Sequence, residues 1–344
     1  RCTDCGRCVP GCNEGAKRSL DTTYLAAAMA GGAEVRLETQ VSRIAPLAAG
    51  YRLELEGAGA ARDGAIEARR VVIAAGTLGT LDLLHASRAA LPVSARLGAR
   101  MSMNGDGLAF LYDTRHRLDG HAGAPISTSV RTPFTGPDGA PRTLMVMSGR
   151  VPMLAMRFSA AALALGAAVL RDRAVPAGPS DRWARARDLV RVGADGALAR
   201  SFMYKLDGQD EARGQARFGE DGAVIDWAAY ADDPVMRFAR ERLHAWARIG
   251  GGTVITDVAR LPGMRSFSVH PLGGARMATS SEDGVVDPVG RVHDPRTGRV
   301  YPGLRIADGS ILPGSLGVPP SLTIAALAEH IADDLRIELV RRPG

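Results

Sequence analysis

The sequence predicts a mixed α/β (α+β) fold, with helix-and-strand segments at both ends of the chain around a central block of short strands. Three observations carry that expectation. Val71-Val72-Ile73-Ala74-Ala75 is an unbroken apolar run that meets Gly76 and then a helical stretch, which fits a strand buried on both faces. Between about residues 97 and 267, short strand-like runs are separated by Gly, Pro and Asp turns, the pattern of an antiparallel sheet. From residue 268 the chain is rich in glycine and proline, then gives the strand Leu304-Arg305-Ile306-Ala307 and a long closing helix starting near Ser321. The expected divisions are therefore 1–96, 97–267 and 268–344.

In chain order, Asp21 is placed to cap a helix carrying Tyr24, Leu25 and Met29, which Gly31-Gly32 ends. Val35-Arg36-Leu37 and residues 51–55 alternate as strands, and 57–64 reads as a hairpin connection. Residues 78–85 are helical in pattern. The central strand-like runs are 108–112, 126–130, 144–147, 202–206 and 224–227. One helix interrupts them: Asp233 caps it, Pro234 occupies its first turn, and Gly250-Gly251-Gly252 ends it. Neither an internal repeat nor a low-complexity tract is present.

Composition excludes several classes. With 344 residues, 46% hydrophobic and 23% charged, the chain is long and apolar enough to bury a core, and disorder does not describe it. The net charge of +6 comes from dispersed arginine without a basic block interleaved with aromatics, so no nucleic-acid partner is expected. The longest apolar run, 158–170, falls short of the ~20 residues of a membrane span, so no transmembrane segment is expected.

Four groups of residues carry chemistry. All four cysteines, Cys2, Cys5, Cys8 and Cys12, follow the C-x-x-C-x-x-C-x-x-x-C spacing of an iron–sulfur loop, although Asn13 stands where such loops place proline. Two disulfides between neighbours this close would be strained, and a zinc knot is the other metal reading. Gly76-Thr77-Leu78-Gly79-Thr80 after the apolar strand lets a backbone approach a nucleotide, with the helix N-terminus favouring negative charge. No G-x-G-x-x-G follows a strand anywhere. In His270-Pro271-Leu272-Gly273-Gly274, a histidine near its ordinary pKa can take a proton from an alcohol, and the paired glycines allow something flat to pack close. Ala307-Asp308-Gly309-Ser310, then Gly317-Val318-Pro319-Pro320-Ser321, makes a rigid approach to a helix start suited to an anion or an electron-rich ring. Of the other histidines, His85, His244 and His330 read as structural, and His116, His121 and His293 as solvated.

These units, in this order, resemble the glucose–methanol–choline (GMC) oxidoreductases, in particular their cholesterol-oxidase-like branch. The resemblance extends to Gly15-Ala16-Lys17, Asn104-Gly105-Asp106, Gly284-Val285-Val286-Asp287 and Ser321-Leu322-Thr323-Ile324-Ala325-Ala326-Leu327. It implies FAD on a Rossmann-like domain, here incomplete, formed by 1–96 and 268–344, and an antiparallel-sheet substrate domain over 97–267. It implies oxidation of a CH–OH group, with the hydride passing to flavin N5. Carried over by position, Val41 meets the adenine end, Gly76 and Gly79 lie beside the nucleotide, and Asp308-Gly309 contacts the pyrophosphate or flavin. Pro320-Ser321 opens the helix that faces the flavin pyrimidine, and His270 faces the substrate.

Two departures bear on this. The family places a second active-site histidine or asparagine where this chain has Pro319, so water or Asn104 is the candidate to supply the second polar group. The strand–G-x-G-x-x-G–helix that holds the pyrophosphate is not in the sequence, which begins at Arg1, so an N-terminal FAD-binding segment is expected as a missing part of a longer flavoenzyme. The expected substrate is a hydrophobic alcohol lined by Leu108, Phe110, Met145, Met147, Phe202 and Met203, and a cluster at the cysteines implies an acceptor protein and a reducing, cytoplasmic setting. The alternatives are an iron–sulfur electron-transfer subunit and a non-catalytic remnant.

Overall fold

A computed structural model of the chain describes residues 1–5, 8, 11–60, 64–117, 124–149, 197–220, 222–227, 230–256 and 268–341. The alanine-rich run 158–170 and His121 lie outside the described residues. Two structural units share the chain by turns: residues 1–31, 105–209 and 229–268 form one, and 32–104, 210–228 and 269–344 the other. The chain therefore changes unit at 104/105 and 268/269, and residues 210–228 return to the second unit from the middle of the sequence.

The first unit is built on a five-stranded sheet in the order β12-β6-β9-β8-β7, antiparallel throughout: β6 (Gly107–Tyr112), β7 (Ser129–Thr135), β8 (Pro141–Gly149), β9 (Phe202–Gly208) and β12 (Thr253–Ile255). Its helix, α3 (Pro234–Gly250), starts as the sequence indicates, with the Asp233 carboxylate accepting from the Val235 N–H at 3.0 Å. Val235, Ala239, Leu243 and Ala247 form one buried stripe at helical spacing. One sheet face carries Ala109, Leu111, Leu206, Leu144 and Val146, all buried. Phe134 and Tyr204 on that face stack or tilt against Phe238 and Trp246 of α3. The opposite face carries Leu108, Phe110, Met203 and Met145, which are half-buried.

That second face also carries Lys205, opposite Leu108 and Met147 in register. Its ammonium binds Asp106 and, at 2.9 Å, Asp207, while Ser268 donates to the other Asp106 oxygen at 2.8 Å. Asp106 and Asp207 are 3% and 0% exposed, so the ion group sits in a low-dielectric setting where an unpaired carboxylate is expensive. Lys17 and Lys205 are the only lysines in the chain. The N-terminal residues of this unit form a short helix, α1 (Tyr24–Ala30), without a buried residue. Asp21 does not cap it: Thr23 is the N-cap residue, and Asp21 instead accepts from Ser19 Oγ inside the preceding turn.

The second unit holds four small sheets around α2 (Gly76–Ser87), whose Leu81 and Leu84 are fully buried. β1 (Gln40–Leu47), β2 (Gly50–Glu56) and β3 (Ala65–Ala68) form an antiparallel three-stranded sheet, tied to α2 by the Ile44 N–H donating to Ser87 Oγ. β4 (Val71–Ile73) pairs in parallel with β15 (Arg299–Ile306), which pairs antiparallel with β14 (Arg291–Asp294). The remaining pairs are β5 (Ala99–Ser102) with β13 (Leu272–Gly274), and β10 (Gln215–Gly219) with β11 (Gly222–Asp226). The closing helix α4 (Ser321–Arg341) docks through buried Arg305 of β15, which binds Asp334 and, at 3.1 Å, Glu338. No helix of the described residues is long and apolar enough to cross a membrane.

Several local expectations need correction. Val35-Arg36-Leu37 is not a strand, because Glu38 takes a left-handed φ of 50° and pairing begins only at Gln40. The run at 126–130 pairs only from Ser129, and 224–227 belongs to the separate β10–β11 hairpin, not to the central sheet. β4 is covered on one face only: Ile73 is 3% exposed, whereas Val72 on the opposite face is 45% exposed. His293 is buried, with Nε2 at 3.1 Å from the Ala278 carbonyl. Phe202 lies opposite Leu111 on the α3 side, so it leaves the face shared by the other five expected lining residues.

Replacing Lys205 by Met removes the ammonium that binds two buried carboxylates. Chemical denaturation of Lys205→Met is expected to show a loss of about 3–5 kcal/mol. Lys205→Arg is expected to recover only part of it, since a planar guanidinium does not fit where a compact ammonium sits.

Candidate active site

The carboxyl ends of β4 and β15 lie side by side, joined by the Ala307 N–H donating to the Ile73 carbonyl at 2.8 Å. In open α/β arrangements, ligands bind outside the carboxyl ends of parallel strands. Four stretches distant in sequence meet there: 76–80, 102–104, 270–275 and 307–321.

Gly76 opens α2 with φ +74°, a conformation that disfavours any residue with a Cβ, and nothing lies within 4 Å of where one would point. Ala75, the N-cap, supplies no side-chain cap, so the first N–H groups of α2 are not taken by one. Gly79 faces Ala75, its hypothetical Cβ 3.3 Å from the alanine methyl. Two threonines of this turn reach the other stretches. Thr77 Oγ1 donates to the Pro271 carbonyl at 2.6 Å, next to His270, and Thr80 Oγ1 donates to Asp308. A Cβ on Gly309 would stand 2.9 Å from Thr77 Oγ1, so that residue must be glycine for the stretches to meet.

The Asp308 carboxylate is spent inside the protein. One oxygen accepts from Thr80, the other from the Ser310 N–H at 2.9 Å and Ser310 Oγ at 2.6 Å, and the residue is 7% exposed. Its role here is to lock the turn after β15 onto α2. The paired glycines after His270 likewise serve the protein itself. A Cβ on Gly273 would lie 2.9 Å from the Arg100 carbonyl, and one on Gly274 2.7 Å from Leu81 Cδ1. In the direction of a side chain, both glycines are thus closed off by Leu81 of α2 and by neighbouring backbone. His270 is half-buried beside the exposed Val269.

Asn104 is fully buried, and its amide binds the backbone of 316–318 ahead of α4. Pro320 is buried and its carbonyl accepts the first helical bond of α4, from the Ile324 N–H at 2.9 Å; Ser321 is exposed. Val41 stands in β1, paired with Leu55, and no hydrogen bond among the described residues joins it to the convergence. The cysteines are not brought together either: no three of the four sulfurs lie within 4.8 Å of one another. A thiolate site rarely pre-forms without its metal, because like charges then have nothing to offset them. Cys12 stands out in one respect, since the Ala16 N–H donating to its sulfur at 3.3 Å holds its pKa below the ordinary thiol value. What sequence reasoning missed is the pair of threonine ties; their spacing from Gly76 was visible, but their partners are remote in sequence.

The residues present fit a dinucleotide in kind. They offer an uncapped, glycine-opened helix start, backbone groups and small side chains at the ends of parallel strands. Gly274→Ala is expected to cost about 2–4 kcal/mol in thermal or chemical unfolding, from left-handed strain and from the clash with Leu81.

Comparison with known proteins places the chain in a family. Residues 1–101 match the N-terminal and residues 177–328 the C-terminal domain model of the GMC oxidoreductases. A cholesterol oxidase of Mycobacterium tuberculosis is 27% identical over 96% of this chain and 58% of its own length. One of Acinetobacter baumannii is 27% identical over 96% of this chain and 60% of its own. Among solved structures, the formate oxidase of Aspergillus oryzae superposes with a TM-score of 0.55 at 16% identity, over 88% of this chain and 60% of that one, which shows the fold. The chain thus spans about three fifths of the length of the curated relatives it matches. With both domain models matched and the strand–glycine–helix, histidine and C-terminal segments in their places, this chain belongs to the GMC oxidoreductase family.

Proposed function

We propose that the chain forms the substrate-facing and C-terminal part of an FAD-dependent oxidoreductase that oxidises a hydrophobic alcohol to a carbonyl. The observation that carries this reading is the tie from Thr77 to the Pro271 carbonyl, which binds the glycine-opened start of α2 to the segment bearing His270. FAD, when bound, supplies the hydride acceptor. Gly76 and the first turn of α2 would meet its anionic portion through backbone N–H groups. An adjoining FAD-binding segment would supply the G-x-G-x-x-G contacts this sequence does not contain.

His270 would hold or take the substrate hydroxyl proton, an acid–base task to which an imidazole ring is suited. Thr77 restrains the backbone at the next residue, so the ring swings from a fixed point. Pro319 offers no side-chain donor, the Asn104 amide is engaged with 316–318, and the side chain assigned to the hydroxyl is His270. What supports a hydrophobic substrate is the sheet of the first unit, whose face away from α3 presents Leu108, Phe110, Met145 and Met203 half-buried beside the ion-paired Lys205. Such a face suits an apolar body better than a sugar, which needs many hydrogen bonds.

The spacing of Cys2, Cys5, Cys8 and Cys12 favours a second component, an iron–sulfur cluster passing electrons onward to an acceptor protein. Near-stoichiometric iron and acid-labile sulfide in anaerobically purified protein would support it, and their lack would remove it.

Turnover of sterols and long-chain alcohols with FAD and an artificial acceptor tests the main reading. Activity on these but not on sugars is expected, with kcat falling about 100-fold in His270→Ala at unchanged FAD affinity. A loss below about tenfold would overturn the role given to His270.

A further inference from the structure

The stretch between Ile311 and α4 has no helix or strand, yet it is held at fixed points by the Asn104 side chain and the Asp210 backbone carbonyl, two other parts of the second unit. Asn104 is the centre of these ties. Its Oδ1 accepts from the Leu316 N–H at 2.8 Å and the Gly317 N–H at 3.2 Å, and its Nδ2 donates to the Val318 carbonyl at 2.8 Å. Below it, Asp210 accepts from Ser102 Oγ and the Met103 N–H, both at 3.0 Å, and Ser102 Oγ accepts from the Asn104 N–H at 2.8 Å. Ser315 Oγ closes the other side by donating to the Asp210 carbonyl at 3.2 Å.

The residue type follows from these demands. One side chain must accept from two amides and donate to a carbonyl within three consecutive residues, which an amide can do and a carboxylate cannot. The backbone there has φ +57°, a left-handed conformation that asparagine tolerates better than most residues. The last tied residue, Val318, precedes Pro319-Pro320, whose rings restrict φ, and the Pro320 carbonyl begins α4. A shift at Val318 therefore passes to the helix start with little chance of being absorbed between them.

We infer that Asn104 is a positioning residue, which sets the orientation of the α4 N-terminus through 316–318 and does not touch the substrate. This rests on the flavin reading for its consequence, since the start of α4 is the group assigned to the flavin pyrimidine. In place of a second active-site side chain at 319, this protein has a clamped proline pair.

Hydrogen exchange on the polypeptide, with and without FAD, tests it. Asn104→Gly keeps the left-handed backbone and removes the amide; exchange at Leu316 and Gly317 is expected to rise on the order of tenfold, with α2 and β13 unchanged. Asn104→Asp retains the acceptor and is expected to return both amides to within about threefold of the parent protein. Unchanged exchange in Asn104→Gly, or a rise spread evenly over the unit, would overturn the clamp. In the FAD-loaded protein, sulfite, an anion that adds to flavin and is favoured by positive potential at the pyrimidine side, should bind about threefold to tenfold more weakly in Asn104→Gly. Unchanged sulfite affinity together with raised exchange would overturn the link to the helix start. A polypeptide that takes no FAD would instead overturn the flavin reading, and the exchange result would still decide Asn104.

Discussion

Parallel pairing of β4 with β15 is the constraint on which the rest of the second unit depends. It places the ends of two strands side by side although the turns that follow, joined by Thr80 and Asp308, are 228 residues apart in sequence. Closing so long a loop costs conformational entropy before any contact compensates for it. The compensation is the apolar packing beneath, where Ile73, Leu81, Leu84, Leu304 and Ile306 are all buried. Once that core forms, Gly76, Asp308 and the residues after His270 have one arrangement open to them.

The polar residues at this end show a division of labour that residue type does not reveal. Asp308 and Asn104 have the chemistry of ligand-binding groups, yet both are buried and their polar atoms bind backbone and hydroxyl groups of the protein. Gly273 and Gly274 have the look of a ligand cradle and are required instead by Arg100, Leu312 and Leu81. Among the described residues of this end, the backbone at the uncapped start of α2 and the space at Gly76 stay open. A site of this kind gains rigidity from groups that never meet the ligand.

The first unit solves a different problem. A sheet with α3 on one side and a half-buried apolar face on the other needs no ion group for stability, yet it contains one around Lys205. In a chain whose other basic residues are Lys17 and arginines, a lysine at this position is a choice of shape. A compact ammonium can sit between Asp207 of its own strand and Asp106, just ahead of the neighbouring strand β6, where a planar guanidinium would force them apart.

Much of the architecture is local and was legible without coordinates. Asp233-Pro234 and the glycines at 250–252 delimit α3, Gly76 separates β4 from α2, and Ser321 opens α4, because caps, prolines and glycines act on their immediate neighbours. The family was legible for the same reason, since its motifs are short and ordered along the chain. Burial of β4 was not: Val72 lies on the uncovered face of its strand, and whether a face is covered depends on partners that alternation cannot name. Nor could the sequence say which face Phe202 takes, because one step of register moves a side chain to the other side of the sheet. Residue types and turns were settled by the sequence alone. The partners of Thr77, Thr80 and Asn104, and the Asp106 partner of Lys205, were decided only by tertiary structure, because a hydrogen bond across 99 or more residues exists only after the core has brought its two ends together.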